Sequence, residues 1–428
     1  MVLKKLLCLL AIGGALFGQT PAKERMVVVI SLDGFPAYAL EDPRLPIPTL
    51  RALMKSGIGA RMGTVNPTVT WPNHTAMVSG VRSDEHGLLA NGSIVPTQAW
   101  PPVKVEPMIE KQKMVHARTV YDAVHDAGMT TAQVDWVAIH NAPTITWNFN
   151  EWATPDGPVE KEMIAKRLVA RGDLENFTKA NINYRDQMWT TAGVHLIREH
   201  KPNLLLLHLL SLDTVHHQFG PRTLAGGTAM AFLDSCVARL VEAVKAAGMI
   251  DKTTFIVVSD HGFKKYTKVV RPGNALDAAG LGNKVFALPE GGTAFVYFDS
   301  PDLSAKVKQT LEGVEGIEKI VGPEGFGDLG FAPPSKEPQM FQLLLVAKDG
   351  YSFSGATGGP VTAAVPQQQG SHGYPASDPE MDAIFIASGY GVKAGGDIGK
   401  IQNLDVASTV ADLLGVKLPG SKGKSVLH

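Results

Sequence analysis

The sequence predicts an α/β fold: a doubly wound, mostly parallel sheet of alkaline phosphatase-like type with a small α+β insertion. Three observations point there. Short apolar runs alternate with stretches of helical period along most of the 428 residues. The runs Met26–Leu32, Leu204–Leu212 and Thr253–Ser259 are nearly continuous in apolar character, as strands covered on both faces must be. Each is followed by or ends near an acidic residue (Asp33, Asp213 and Asp260) on the rim where doubly wound sheets bind ligands.

In chain order, Met26–Leu32 is the first strand, and the helix Thr49–Lys55 comes next, ending at Gly57. The stretch Asn66-Pro67-Thr68-Val69-Thr70-Trp71-Pro72-Asn73-His74 sets hydroxyl residues between two prolines. It is expected to be too broken for a regular helix or an interior strand. Such a rigid loop suits a nucleophile standing proud of a sheet edge. Thr119–Ala127 is helical with Gly128 as its stop signal, and Thr131–Val137 is a strand. Loops and short helices are expected over 141–190, which are rich in Trp, Asn and charge. Thr190–Glu199 and Met230–Ala247 are helices, the second ending at Gly248. From about 264 to 369 glycines and prolines multiply around a strand, Thr293–Phe298, and an amphipathic helix, Asp302–Leu311. That segment is expected to be a cap inserted over the site. The core resumes after His372 with the strand Ala383–Ala387 and the helix Asp405–Leu414.

Composition bounds the function. With 44% hydrophobic and 19% charged residues, the chain can bury a large core. A formal net charge of -1 argues against nucleic acid as a bulk partner. Two lysines, the apolar run Leu6 to Phe17 and small residues up to Ala22 read as a signal peptide over 1–22, with a catalytic domain over 23–428. The run is shorter than the ~20 apolar residues a membrane span needs. Export to the periplasm or the medium is expected, with no transmembrane anchor after cleavage. Cys8 leaves with the signal, and Cys236 is expected as a small buried core residue without a disulfide.

The chemistry rests on Asp33, on Asp213 with His216 or His217 close behind, on Asp260-His261, and on His372 in Gly370-Ser371-His372-Gly373. Singly, each has a plain structural reading: Asp33 as a helix cap, Asp213 with His217 as a surface pair, His372 as a loop histidine. His74 is expected to be a structural hydrogen-bonding residue. Together, carboxylates and imidazoles without thiolates suit zinc, with manganese as the nearest competitor. Counting Thr70, the donors exceed one tetrahedral ion and fit two. A metal pair roughly 3.5–4 Å apart lowers a hydroxyl pKa and clamps the attacking and leaving oxygens.

The set Asp33-Gly34, Pro67-Thr68-Val69-Thr70-Trp71-Pro72-Asn73-His74, Asp213-x-x-x-His217, Ser259-Asp260-His261-Gly262 and His372-Gly373 resembles the nucleotide pyrophosphatase/phosphodiesterase family of the alkaline phosphatase superfamily. Asp405 to Gly420 is similar to the superfamily's usual ending. The resemblance implies Thr70 as nucleophile, because the family's threonine precedes an aromatic residue and Pro-Asn-His. It implies one zinc at Asp213, His217 and His372, which selects His217 over His216. It implies a second zinc at Asp33, Asp260, His261 and the Thr70 oxygen. Asn91 falls where the family holds a phosphoryl oxygen, and Trp71 where it offers an aromatic face to a base. The tyrosine often found five residues before the metal aspartate is His208 here.

The implied reaction is hydrolysis of a small phosphate diester or nucleotide pyrophosphate. Thr70 displaces a leaving group to give a threonine ester, which hydroxide then cleaves. The alternatives are a phosphomonoesterase or phosphonate hydrolase of the same superfamily, or a metal-dependent binding protein without turnover. Lys111-Gln112-Lys113 has the shape of the basic pair used by monoester and phosphonate enzymes, but it is expected to be a solvated surface pair. No Cys-x-Pro-x-Arg or Gly-x-Ser-x-Gly is present, and Gly420-Ser421-Lys422-Gly423-Lys424-Ser425 lacks the strand a P-loop requires.

Overall fold

The three apolar runs lie side by side in the computed structural model, which describes residues 20–427. Most of the expected signal peptide, with Cys8, lies outside the described residues. Among these residues the central sheet has eight strands: β1 (Met26–Leu32), β2 (Ile58–Gly63), β3 (Thr131–Val134), β4 (Trp147–Phe149), β5 (Leu204–Leu209), β6 (Thr253–Val258), β7 (Ala383–Gly389) and β8 (Gly396–Gln402). Their order is β8-β2-β7-β6-β1-β5-β3-β4. β1 pairs in parallel with both β5 and β6, and only β7 runs antiparallel to its neighbours.

A period of two sorts each strand between two helix layers. Val28, Ile30 and Leu32 of β1 face α1 (Pro48–Ser56), and alternate residues of the other strands face further helices of that layer, while Val27 and Val29 face the opposite one. The opposite layer is built from α2 (Thr70–Ser79), α3 (Val120–Asp126) and a helix near the C-terminus, Leu404–Leu413. Each such side chain contributes about 1.5–3 kcal/mol when fully buried, so both layers are needed. On the first layer lie α4 (Pro158–Ala165), α5 (Ile182–Glu199), α6 (Ser211–Phe219) and α7 (Leu224–Ala246). By length and composition α7 could cross a membrane; here Leu233, Val237 and Leu240 are buried against the sheet, with the free thiol of Cys236 beside them.

Several expected elements differ in extent, each for a local reason. Thr70 opens a regular helix rather than a broken loop. Pro72 sits in the first turn of α2, where a missing N–H costs no hydrogen bond. β3 stops at Val134 because Asp135 takes a left-handed conformation at φ 57°. β5 stops at Leu209, and Asp213 belongs to the first turn of α6 rather than to a strand end. The Asp186 carboxylate makes that turn, accepting the N–H groups of Leu210 and Ser211 at 2.9 and 3.0 Å. α5 begins at Ile182, well before Thr190, behind an Asn181 cap. α7 begins at Leu224, behind a Thr223 cap that the pair Gly226-Gly227 disguises.

Beyond Phe263 the chain builds two further sheets. Lys264–Val270 pairs antiparallel with Thr362–Ser371 and in parallel with Gly350–Phe353. The strands Val285–Glu290, Thr293–Phe298, Leu343–Ala347 and Ile317–Val321 form an antiparallel sheet in that order. Lys264 faces Ser371 in register, so the segment leaves directly after Asp260-His261 and returns directly into His372.

Candidate active site

The C-terminal ends of β1, β5 and β6 carry the acidic residues onto one rim. Asp33 follows β1, Asp213 lies one turn into the helix after β5, and Asp260-His261 follow β6. Gly34 makes the close approach possible. Its φ is +67°, and a Cβ there would stand 2.7 Å from the Phe263 ring. Gly373 plays the same part beside His372, since a Cβ would fall 1.7 Å from the Glu290 carbonyl oxygen.

The six donors share one arrangement. In five of them an outer atom is tied to the scaffold and an inner atom is left facing the others. The Asp33 Oδ2 lies 3.0 Å from the His208 Nε2, while its Oδ1 lies 3.5 Å from the His261 Nε2. The Asp260 Oδ1 accepts the Gly34 N–H at 3.1 Å, and its Oδ2 sits 3.2 Å from the His261 Nε2. The Nδ1 atoms of His217, His261 and His372 meet the carbonyls of Gly370, Gly262 and Thr68 at 3.1, 3.1 and 2.9 Å. Donation from Nδ1 fixes the tautomer that leaves a lone pair on Nε2. Asp213 Oδ1 stands 3.4 Å from His217 Nε2 and 3.8 Å from His372 Nε2. Two donor groups result, Asp213 with His217 and His372, and Asp33 with Asp213 and His261.

Their electrostatics call for positive charge. Burial, reinforced by Asp260 and Asp213, holds the Asp33 carboxyl well above its ordinary range. Burial likewise raises Asp260. Burial opposes ionisation of Asp213 too, but His217, His372 and His261 together pull it below the ordinary range. Burial and the neighbouring His261 and His217 push His372 down to about 3. Asp33 Oδ1, Asp213 Oδ1, Asp260 Oδ2 and His261 Nε2 are buried without a hydrogen-bond partner. Buried oxygen and nitrogen atoms left facing one another fit divalent cations in a mixed N/O donor set.

Thr70 opens α2 and is 7% exposed. Asn91 is exposed, and its Oδ1 accepts the Trp71 N–H at 3.0 Å, which sets the amide beside Thr70. Trp71 is 7% exposed and packs among Leu88, Met114, Val115, Val137 and Ala138, so little of its ring is open to a ligand. His216 is buried against Phe263 and stays out of both donor groups. His74 binds the Thr70 carbonyl through Nδ1 at 2.9 Å. Lys111 departs from expectation: it is buried, and its Nζ meets the Asp122 carboxylate at 2.6 Å, while Lys113 alone is solvated. A neutralised Lys111 is no free cation for a phosphate.

Sequence reasoning missed the part played by His208 and Asp135. His208 is fully buried, bridging Asp33 to Asp135, whose carbonyl lies 3.1 Å from its Nδ1. It supports a donor rather than walling a pocket. A lone imidazole inside the run Leu204–Leu209 was the available signal, since a buried polar group requires partners.

A model of the family described as type I phosphodiesterase / nucleotide pyrophosphatase matches residues 27–375. Human ectonucleotide pyrophosphatase/phosphodiesterase family member 7 is 23% identical over 418 residues, covering 95% of this chain and 84% of that protein. A venom phosphodiesterase of Macrovipera lebetinus is 23% identical over 430 residues, covering 95% of this chain and 44% of the venom protein. Murine ectonucleotide pyrophosphatase / phosphodiesterase 5 superimposes with a TM-score of 0.73 at 20% identity, covering 94% of this chain and 98% of that one. An inactive threonine-to-alanine variant of it, in complex with AMP, gives the same TM-score over 94% and 97% of the two chains, also at 20% identity. These structures share the alkaline phosphatase-like fold.

Proposed function

The chain belongs to the type I phosphodiesterase / nucleotide pyrophosphatase family, and from that premise we propose that it hydrolyses small phosphate diesters or nucleotide pyrophosphates through a covalent threonine ester. One observation carries the reading: buried donor atoms are left facing one another, and His74 ties them to the threonine that opens α2, its Nδ1 lying 2.9 Å from the Thr70 carbonyl and 3.7 Å from Asp260 Oδ2. Asp213, His217 and His372 would hold one divalent cation, and Asp33, Asp260, His261 and Thr70 a second, with zinc the metal that best suits the donors. When bound, the pair lowers the hydroxyl pKa of Thr70 and neutralises charge on the phosphoryl oxygens.

Thr70 Oγ1 attacks phosphorus, forming an O–P bond as the bond to the leaving oxygen breaks. The leaving group departs as an alcohol or phosphate, and Thr70 carries the remaining ester. Water then adds to phosphorus, the threonine O–P bond breaks, and a proton returns to Thr70. Asn91 has its carbonyl oxygen occupied by Trp71, so its NH2 end is the one turned to an equatorial phosphoryl oxygen. The N-terminus of α2 adds a positive dipole end at the same place. Pairing of Lys111 with Asp122 removes the cation that a dianionic monoester would need, which favours diesters.

AMP bound to the murine neighbour supports a nucleotide ester as substrate, and the venom relative, with the lysine-led apolar segment at the N-terminus, supports export. The test compares bis(p-nitrophenyl) phosphate with p-nitrophenyl phosphate at equal concentration. A higher kcat/KM for the diester is expected; a clearly higher value for the monoester would overturn the diester assignment.

A further inference from the structure

We propose a third divalent-cation site at Glu162, His195 and His200, separate from the reaction centre. Glu162 lies on α4, His195 near the end of α5, and His200 is the residue that closes α5. The Nε2 atoms of both imidazoles aim at one oxygen, Glu162 Oε2, at 2.9 and 2.7 Å. One ligand atom from each residue lies within 4.8 Å of the others. Zinc bound by two imidazoles and a carboxylate at about 2.0–2.2 Å spaces its ligands by about 3.4 Å. The carboxylate, 40% exposed, has room to withdraw by that difference.

The nitrogens are already aimed. His195 is almost wholly buried in the helix layer, and the His200 ring lies against Trp147 with centroids 4.6 Å apart. Glu199, next to His200 in the chain, is held by Lys166 at 2.7 Å. Three protein ligands leave a fourth position for water. His200 precedes β5, whereas Asp213 follows it, so the cluster lies at the opposite edge of the sheet, about 20 Å away at ~3.3 Å per residue. A cation there takes no part in the chemistry and fastens α4 to the end of α5. It must replace two existing hydrogen bonds, so it binds more weakly than a cation at the rim.

Zinc uptake by the metal-stripped full-length chain tests this, compared with His200→Ala and with Glu162→Gln, which keeps the shape of the carboxylate. The wild type is expected to take up one zinc equivalent more than either variant, the last to enter, with at least tenfold weaker binding in the variants. Zinc is expected to raise the thermal midpoint of the wild type above its effect on either variant. Hydrolysis of bis(p-nitrophenyl) phosphate is expected to stay unchanged. Equal zinc uptake by all three proteins overturns the proposal, and because only the difference is read, the count at the reaction centre does not enter.

Discussion

The two edges of the central sheet each gather imidazoles and carboxylates, yet they solve opposite problems. At the N-terminal edge, Glu162 is half exposed and accepts both histidines directly, and against the cost of burial these contacts lower its pKa. That cluster neutralises itself. At the C-terminal rim Asp33 and Asp260 are buried side by side, held above the ordinary carboxylate range by burial first, and their inner oxygens have no hydrogen-bond partner. A cluster that cannot neutralise itself is prepared to bind external charge tightly, whereas the self-satisfied one must first give up its own hydrogen bonds and so holds a cation more weakly. The proximity of His and Asp is therefore less informative than whether the donors already satisfy one another.

Substitutions at the two clusters should therefore differ widely in effect. Thr70→Ala has the largest expected effect, a loss of diester hydrolysis on the order of 10³-fold or more with metal content retained. Chelation should abolish activity, and zinc add-back should restore it; activity that persists after complete metal removal would contradict the reading of the rim. His208→Ala should weaken metal retention at the rim by about 10–100-fold, because Asp33 loses the partner that orients it. Metal content after dialysis reads this. Asp186→Ala leaves two N–H groups at the start of α6 without their acceptor, so urea unfolding should show a loss of about 1–3 kcal/mol. The smallest effect belongs to the other edge, where His200→Ala should leave kcat/KM for the diester within error.

Much of this was legible in the chain. The runs that became β1, β5 and β6 are apolar at most positions, interrupted only by Ser31, His208, Thr253 and Thr254, so their central place followed from composition. The residues gathered at the rim were readable because parallel strands all deliver their trailing residues to one edge. Local exceptions were not. Pro72 looked like a helix breaker but occupies a turn that tolerates it. Asp186 starts α6 from the preceding helix, α5, beyond the reach of local pattern, so Asp213 could not be assigned to a helix from its neighbours. Lys111 carries a surface residue's signature and is buried by Asp122, which no nearby pattern announces. The last two depend on a partner more than ten residues away, and short-range periodicity contains no record of one.

On the proposed mechanism Thr70 becomes esterified during turnover. Rapid acid quench of the enzyme with bis(p-nitrophenyl) phosphate, and then peptide mass spectrometry, tests it directly. A p-nitrophenyl phosphoryl group is expected on the peptide carrying Thr70 and is expected to be absent from Thr70→Ala. An unmodified peptide under conditions of rapid turnover, or a modification on another residue, would contradict it.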